Sequence, residues 1–408
     1  MSFNRICIIG GGPAGMMAAG TAVNCGASVT LFESMPFLGK KLGITGKGRC
    51  NVTNCSGTQE FLENVTKNPR FLYSALKTLN TYETMEFFEN LGVELKVERG
   101  NRVYPADDKA KTIVDAMRKY CKGAKVVYKK VKKITKNDDG TFTVEADEKH
   151  IFDKVILATG GKSYPLTGSD GSGFKLAASL GHKSTRLIPS LIPINSSSPL
   201  CPDMQGLSLK NVAIKILDAC DNCIYSDFGE MMFTHFGVTG PIILSASAHL
   251  RNVDISTLTL SIDLKPALDE KTLDTRLLSD FKKKNNKDLI NSLNDLLPSK
   301  MISPFISLTG IEPRQKINTI TKDERKTILN TFKDFRIPLS SFRPIEEAIV
   351  TSGGIEVKEI SPQTMESKIT AGLYFAGEMI DVDAYTGGFN LQIAFSTGYL
   401  AGKSAAEL

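Results

Sequence analysis

The strongest constraint on the fold is a short apolar run followed at once by a glycine-rich turn. Residues 5–10 read RICIIG, which is typical of a buried parallel strand. The turn GGGPAG follows, with Gly10, Gly12 and Gly15 in a G-x-G-x-x-G pattern, and an Ala-rich segment from Ala14 to Cys25 predicts a helix. The first glycine permits the tight turn, the second lets the backbone approach a pyrophosphate, and the third lets helix and strand pack closely. The free N–H groups at the helix start favour the same pyrophosphate.

A second strand is predicted at residues 28–33 (SVTLFE), and it ends in the carboxylate of Glu33. An acid at this distance from the glycines accepts hydrogen bonds from a ribose with an unphosphorylated 2′-OH. The glycine pattern alone would be weak, but strand, helix and acid together are specific for a dinucleotide-binding unit. These residues do not distinguish FAD from NAD.

Length and charge set limits on the class of protein. A chain of 408 residues is long enough for two or three domains, and its net charge of +6 is mild, so a solvated basic surface is the default interpretation. No run approaches the ~20 apolar residues of a membrane helix, and no signal-peptide pattern is visible. The scattered cysteines suit a reducing compartment. The sequence therefore predicts a cytoplasmic protein without a membrane partner.

A long loop, residues 34–57, follows Glu33 directly and is rich in glycine and basic residues. Loops of this length inside a compact domain are usually functional. We expect contact with a ligand, because Lys40, Lys41 and Arg49 can meet phosphate charge and Asn51 can hydrogen-bond at a defined angle. A mobile surface loop is the alternative.

The alternation of strands and helices stops near residue 188 and returns near residue 344. The sequence thus predicts an α/β fold in which residues 1–188 and 345–408 form one discontinuous dinucleotide-binding domain. Residues 189–344 form an inserted domain, β-rich over 189–265 and helical over 266–335.

The C-terminal stretch is the second strong signal. Residues 372–381, GLYFAGEMID, predict a strand, a turn and an acid, and Gly387 and Gly388 open a last helix. Such a helix start suits a flavin, since the reduced ring carries negative charge at N1 and the C2 carbonyl. Two glycines clustered with Asn390 and Gln392 argue against an ordinary packed helix. Either acid of this stretch could contact the ribityl chain or the pyrophosphate.

Four segments together resemble the bacterial FAD-dependent flavoprotein family labelled aminoacetone oxidase-type or YhiN/BaiN-type. They are GKKLGITGKGRCNVTN (39–54), GEMMFTHFGVTGP (229–241), TSGGI (351–355) and FAGEMIDVDAYTGGFNLQ (375–392). The resemblance spans the whole chain and implies a Rossmann-like, glutathione-reductase-type FAD domain split by an insertion. It links the chain to FAD-dependent redox chemistry, including reduction of bile-acid-type enones, but it does not transfer the substrate. Lys40 departs from the arginine common in the family, and a lysine lacks bidentate geometry.

By that resemblance, the predicted cofactor-binding residues fall into five groups along the chain. They are Gly10, Gly12, Pro13, Ala14 and Gly15 at the pyrophosphate; Glu33 and Ser34 at the adenosine ribose; Lys40, Lys41, Thr45, Gly46, Arg49, Cys50 and Asn51 in the loop; Val131, through its backbone at the adenine, with Ala158, Thr159 and Gly160 nearby; and Gly377, Glu378, Asp381, Gly387, Gly388, Phe389, Asn390, Leu391 and Gln392 along the ribityl and flavin end.

Other candidate groups are weaker. His235 lies in the glycine-flanked FTHFG turn of the insertion and is the one candidate general acid, although a histidine that fixes a loop is the stronger interpretation. The single C-x-x-C, Cys220 and Cys223, does not open a helix beside the glycine pattern, which disfavours a redox-active pair. No metal site is predicted, because no further ligands stand at matching spacing.

The sequence therefore predicts a FAD-dependent oxidoreductase that passes a hydride through tightly bound FAD to or from a small organic molecule. No second G-x-G-x-x-G follows a strand, so NAD(P)H is expected as a transient donor without a domain of its own. Nucleic acid is disfavoured as a partner, since only Tyr128 accompanies the lysines of residues 129–136. The alternatives are a flavin-dependent protein that modifies tRNA or another nucleic acid, and a redox-sensing flavoprotein without turnover.

Overall fold

The computed structural model describes residues 4–407 and divides into two compact units. Unit 1 contains the chain up to Pro189 together with the chain from Ile345 onward, and unit 2 is Ser190–Pro344. Each unit has its own apolar core.

The first part of unit 1 alternates strands and helices. Its strands are β1 (Arg5–Ile9), β2 (Ser28–Phe32), β3 (Thr53–Asn54), β4 (Val65–Lys67), β5 (Leu95–Glu98), β6 (Arg102–Pro105), β7 (Lys125–Val127), β8 (Lys133–Lys136), β9 (Phe142–Glu145), β10 (Lys149–Phe152) and β11 (Lys154–Leu157). Its helices are α1 (Pro13–Asn24), α2 (Thr58–Glu63), α3 (Tyr73–Thr78), α4 (Thr81–Asn90), α5 (Ala110–Tyr120) and α6 (Ser172–Ala178).

The middle of the chain forms unit 2, and the last part returns to unit 1. The strands from the boundary onward are β12 (Ile188–Ser190), β13 (Ile194–Ser196), β14 (Ser208–Leu217), β15 (Cys223–Thr234), β16 (Gly237–Thr239), β17 (Thr259–Asp263) and β18 (Phe335–Phe342). The helices of unit 2 are α7 (Leu200–Asp203), α8 (Pro241–His249), α9 (Glu270–Lys283), α10 (Ser299–Thr309) and α11 (Lys322–Lys333). Unit 1 ends with β19 (Val350–Ser352), β20 (Leu373–Phe375), β21 (Asp383–Ala384) and α12 (Phe389–Ala406).

A five-stranded parallel sheet forms the core of unit 1, in the order β20–β11–β1–β2–β7. The central strand β1 is buried from Ile6 to Ile9, as its uninterrupted apolar sequence predicts for a strand covered on both faces. The carboxyl ends of these strands point to one edge of the sheet, where open α/β folds bind their ligands.

Unit 2 is a closed barrel with helices attached. Its strands follow the order β13–β16–β15–β14–β17–β18, all paired antiparallel. The last strand, β18, closes the barrel only after the helices α9–α11 have been completed. A capping box between Thr321 and Glu324 fixes the start of α11. The predicted α/β fold with a β-rich and helical insertion is confirmed.

Two local features differ from what the sequence predicts. The sequence predicts two strands, roughly 125–136 and 141–152, around the turn at Asp139 and Gly140. β8 and β9 do pair across this turn, but β7 leaves to join the parallel sheet and a second turn separates β9 from β10, so the two predicted strands are four. The β-rich part of the insertion also contains α8, which begins at Pro241 after Gly240. Proline at the first helical position is a helix-start signal that the strand-rich surroundings obscured.

Candidate cofactor site

Each glycine of the first turn meets a different constraint. Gly10 has a φ of +109°, and a Cβ there would lie 2.4 Å from the carbonyl oxygen of Ala158, so the turn passes tightly against the end of β11. A Cβ on Gly15 would lie 1.8 Å from the carbonyl oxygen of Gly10, whereas a Cβ on Gly12 would meet no atom within 4 Å. The turn is therefore packed on two sides and open at Gly12, where backbone can approach a phosphate.

The helix α1 begins directly after this turn. Pro13 occupies the first helical position, where its missing N–H costs nothing, and its fixed φ suits the helix. The N-cap is Gly12, so no capping side chain occupies the helix start. The first N–H groups, with their partial positive charge, can therefore bind an anion.

Glu33 lies at the carboxyl end of β2 and is 9% exposed. Its carboxylate accepts hydrogen bonds from the backbone N–H of Gly11 at 2.7 Å and of Met35 at 2.7 Å, and from the Ser34 hydroxyl at 3.2 Å. A carboxylate has about four acceptor positions. These bonds fix Glu33 against the glycine turn and leave room for a ribose hydroxyl.

The basic side chains of the loop bind other parts of the protein. Lys40 donates to the carbonyl of Leu166 at 2.6 Å, and Arg49 donates to Glu98 and Asp108 while its guanidinium lies 4.2 Å from the centre of the Tyr104 ring. These side chains tie the loop to the segments around it. Internal acceptors already bind them, and their predicted contact with phosphate stays a prediction.

A tight turn in this loop holds several predicted cofactor residues. Gly46 has a φ of +57°, and the backbone N–H of Cys50 donates to the carbonyl of Thr45 at 3.0 Å. Cys50 is fully buried at a φ of +59°, and burial raises the pKa of its thiol to about 12, so the thiol stays protonated. The side-chain oxygen of Asn51 is buried and has no hydrogen-bond partner within residues 4–407. A bound cofactor with an N–H or O–H group would satisfy it.

Lys41 and Glu378 form an ion pair of 2.8 Å that joins the loop to the turn after β20. Glu378 also accepts from the Thr351 backbone N–H at 2.7 Å and the Ser163 hydroxyl at 3.2 Å. Burial by itself raises the pKa of Glu378, but the Lys41 charge and these hydrogen bonds outweigh it and leave the pKa below its ordinary value. Glu378 is therefore a fixed anion that positions the Lys41 ammonium. Sequence analysis missed Ser163, which carries no motif, and placed Thr351 in the TSGGI segment without giving it a role.

The second helix start, at α12, depends on left-handed backbone. Gly387 and Gly388 have φ values of +123° and +97°, and a Cβ on Gly388 would lie 2.2 Å from the carbonyl oxygen of Thr53. Gly388 is the N-cap, so this helix also begins without a capping side chain. A partial positive charge is again available to an electron-rich group.

The side chains around this start face the protein rather than open space. Asn390 bonds the backbone of Ala384 and Tyr385, and Gln392, 0% exposed, bonds Thr53, Thr84, Ser396 and the Leu79 carbonyl. These hydrogen bonds hold the start of α12 in place. The remaining predicted residues are also held internally: Asp381 pairs with Lys67 at 2.7 Å, the Phe389 ring packs edge-on against Phe61, and Leu391 packs on the core.

The two uncapped helices run side by side in the same direction. A Cβ on Gly398 would lie 2.4 Å from the Ala14 carbonyl oxygen, and one on Gly402 would lie 2.4 Å from that of Ala18. The start of α1 is thus level with Gly398, nine residues into α12, an offset of roughly 14 Å along the helix. The site offers positive helix ends at two separated places. This pattern suits an elongated dinucleotide with negative charge near both.

The segment after β11 supplies the last predicted contacts. The Thr159 hydroxyl lies 3.0 Å from the sulfur of Met379, and a Cβ on Gly160 would lie 2.6 Å from the hydroxyl oxygen of Ser169. Ser169 is 5% exposed, and its hydroxyl has no partner within residues 4–407. Val131 is buried, and its predicted backbone contact with adenine stays a prediction. Sequence analysis missed Ser169 as a candidate. These residues fit FAD, because a bound dinucleotide would satisfy both buried polar atoms of the site.

The candidate functional residues of unit 2, one histidine and two cysteines, are exposed. His235 is exposed in the turn between β15 and β16, with its ring 5.1 Å from that of Phe236, and its catalytic role stays a prediction. Cys220 and Cys223 are exposed free thiols beside the turn between β14 and β15. Across residues 4–407, no helix combines the length and apolar character needed to cross a bilayer.

The family profile of the HI0933-like protein Rossmann domain matches residues 4–404. The chain belongs to the HI0933-like family, and it is a FAD-dependent oxidoreductase. The predicted family and enzyme class are thereby confirmed.

Three known proteins are similar to this HI0933-like chain. A 3-dehydro-bile acid delta(4,6)-reductase from Clostridium scindens is 30% identical, with 99% of each chain covered. A ribosomal RNA dihydrouridine synthase from Escherichia coli is 28% identical, with 96% of this chain and 95% of that one covered. The structure of 3-ketosteroid-delta4-(5alpha)-dehydrogenase from Rhodococcus jostii RHA1 superposes with a TM-score of 0.54 at 14% identity, covering 100% of this chain and 98% of that one. The last comparison shows a shared fold.

Proposed function

We propose that this HI0933-like protein uses FAD to reduce a carbon–carbon double bond conjugated to a carbonyl, with NAD(P)H as the hydride donor. Two similar proteins support this proposal through their chemistry. One is named as a reductase of a 3-dehydro-bile acid, and the other makes dihydrouridine, in which the double bond of the uracil ring has been reduced. Their substrates differ in size and class but share a double bond next to a carbonyl group.

The open turn at Gly12 beside the uncapped start of α1 is the observation on which the cofactor assignment rests. That turn would hold the pyrophosphate, Glu33 the ribose, and the start of α12 the electron-rich end of the ring. When bound, FAD supplies a two-electron carrier that accepts a hydride from NAD(P)H and delivers it to the double bond. A proton completes the saturated product, so NAD(P)H and H⁺ are consumed and NAD(P)⁺ is released.

The residues of unit 1 contribute charge. The helix dipole of α12 and the ammonium of Lys41, held by Glu378, both favour negative charge on a bound ligand. His235 remains the one sequence-based candidate for the proton donor. The free cysteines of the described residues support a reducing, cytoplasmic location.

The deciding experiment is an anaerobic titration of the purified, flavin-loaded protein with NADH and then NADPH, followed by visible spectroscopy. Bleaching of the flavin within seconds, and its return on addition of a 3-oxo-4,6-diene steroid or a uridine-containing RNA, are the expected results. A flavin that stays oxidised with both nucleotides contradicts the assignment of the donor. A flavin that bleaches but is reoxidised by neither substrate contradicts the assigned reaction.

A further inference from the structure

A row of two cations and an aromatic ring lies on the surface of unit 1. None of these three residues is among the predicted cofactor-binding residues. Arg70, Tyr73 and Lys77 stand at positions i, i+3 and i+7 along the 3₁₀ turn Pro69–Leu72 and the helix α3 that continues it. All three side chains are exposed, Tyr73 to 51%. Positions at this spacing share one helical face. We call these three residues the Arg70–Lys77 stripe.

The stripe borders a concave groove of about 390 Å³. Tyr73 and Lys77 form part of its wall, together with Thr58, Ser74, Leu76 and Asn80. The wall combines an aromatic face with hydroxyl, amide and ammonium groups, a set that can recognise a planar polar ring.

The cations of the stripe are not neutralised by the protein. Within residues 4–407, neither Arg70 nor Lys77 forms an ion pair or a side-chain hydrogen bond. The lysine cluster that the sequence singled out is different, because Lys129 and Lys132 pair with Asp147 and Lys130 pairs with Asp170. The charge of the stripe thus remains available to an anionic partner.

The arrangement matches a single-stranded nucleic acid. Aromatic side chains stack on bases regardless of sequence, and flanking cations neutralise the phosphates. Arg70 and Lys77 are separated by roughly 12 Å of helix rise, a spacing that lets them contact different phosphates of one chain. We infer that the Arg70–Lys77 stripe binds a single-stranded segment of RNA, with one base stacked on Tyr73. This rests on the proposed function and deepens it, since uracil contains a double bond conjugated to a carbonyl.

The place of the groove agrees with binding of a flanking nucleotide. The carbonyl of Leu79, just after α3, accepts hydrogen bonds from Gln392 and Ser396 of α12. The helix α3 therefore lies directly against α12, and packed helices are about 8–10 Å apart. A base stacked on the outer face of α3 would lie one helix layer from α12, whose start is assigned to the flavin end of the cofactor. This stacked base anchors the RNA strand while another base of the same strand is reduced.

The test uses the purified, flavin-loaded full-length protein and a fluorescein-labelled 12-mer of oligouridine, with binding followed by anisotropy at several salt concentrations. We expect wild-type affinity to fall steeply with salt. Arg70→Glu and Lys77→Glu should each weaken binding about tenfold and lower the salt slope by about one. Tyr73→Ala should weaken binding about tenfold without changing the slope. Lys326→Glu and Tyr128→Ala, at similarly exposed positions elsewhere, should bind like wild type.

Several outcomes overturn the inference. The inference is contradicted directly if the stripe variants bind RNA as tightly as wild type, or if the wild-type protein does not bind RNA. Competition by NADPH together with weaker NADPH binding by Tyr73→Ala would assign the groove to the nicotinamide nucleotide. The NAD(P)H bleaching of the flavin is recorded on the same samples. Bleaching without RNA binding leaves the proposed reaction standing, whereas RNA binding without bleaching contradicts only the assigned donor.

Discussion

The starts of α1 and α12 look alike in sequence and differ in structure. Both helices are opened by glycine, and both N-caps lack a capping side chain. At α1 the glycine N-cap, Gly12, has an ordinary φ of −78° and faces open space. At α12 the N-cap, Gly388, has a φ of +97° and is pressed against the carbonyl of Thr53.

The difference shows that glycine has two separate uses in this site. Gly12 keeps a space clear for a ligand, and the protein itself does not need the missing Cβ. Gly388 lets two parts of unit 1 pack, and the fold requires its missing Cβ whether or not a ligand is bound. Substitutions should therefore separate folding from binding at the two positions.

The largest effect is expected for Gly388→Ala. The new Cβ would clash with backbone at 2.2 Å in a left-handed conformation, so the free energy of unfolding should fall by about 3 kcal/mol. Urea denaturation of the flavin-free protein measures this. Gly140→Ala is the matched control, since Gly140 has a φ of +83° but no atom within 4 Å of its Cβ position. It should cost only about 1 kcal/mol, and equal losses at both positions would remove the contrast.

Gly12→Val should leave the stability of the flavin-free protein nearly unchanged and weaken the binding of FAD, in contrast to Gly388→Ala. The flavin-free protein should unfold within about 0.5 kcal/mol of wild type, because the side chain enters empty space at an allowed φ. The Kd for FAD should rise about 100-fold, equivalent to ~2.7 kcal/mol, because the branched side chain occupies the place of the phosphate. Quenching of FAD fluorescence measures the Kd. A variant that is purified fully yellow would show that the pyrophosphate lies elsewhere.

A smaller effect tests the ion pair of Lys41 and Glu378. The pKa of Glu378 is lower in the folded protein than its ordinary value of 4.5, so its stabilising contribution is complete above pH 4.5 and is lost as the pH falls through the lowered value. Glu378→Gln should lower the free energy of unfolding by about 1 kcal/mol at pH 7 and by less under acid conditions. Urea denaturation between pH 3.5 and 7 measures the difference. A constant difference across this range would mean that the carboxylate charge contributes nothing.

The parts of the site that could be predicted from sequence are local. The glycine turn and Glu33 lie within 23 residues of each other, and their spacing alone specifies a strand, a helix and an acid at a shared sheet edge. The glycines before α12 were recognisable for the same reason. The packing contact of Gly388 could not be predicted, because its partner, Thr53, is far from it in the sequence.

The uses of the charged residues could not be predicted. Lys41 and Glu378 are 337 residues apart, and nothing in either segment indicates that they meet. The basic residues of the loop suggested phosphate binding, but Arg49 is bound by Glu98 and Asp108. Composition records which charges are present. The tertiary fold decides which of them remain unpaired, as Arg70 and Lys77 do within the part of the chain that the structure describes.

The packing of α12 against α1 has a consequence for synthesis of the protein. Gly398 and Gly402 complete a close helix contact whose other half, at Ala14 and Ala18 of α1, is synthesised about 380 residues earlier. At about 5–20 residues per second, the ribosome needs roughly 20–80 s to join the two halves. During that interval the nascent chain holds an exposed first half-site, and the barrel is completed with β18 before α12 is made. Because α12 supplies half of the candidate cofactor site, we expect a chain truncated before α12 to fail to retain its flavin.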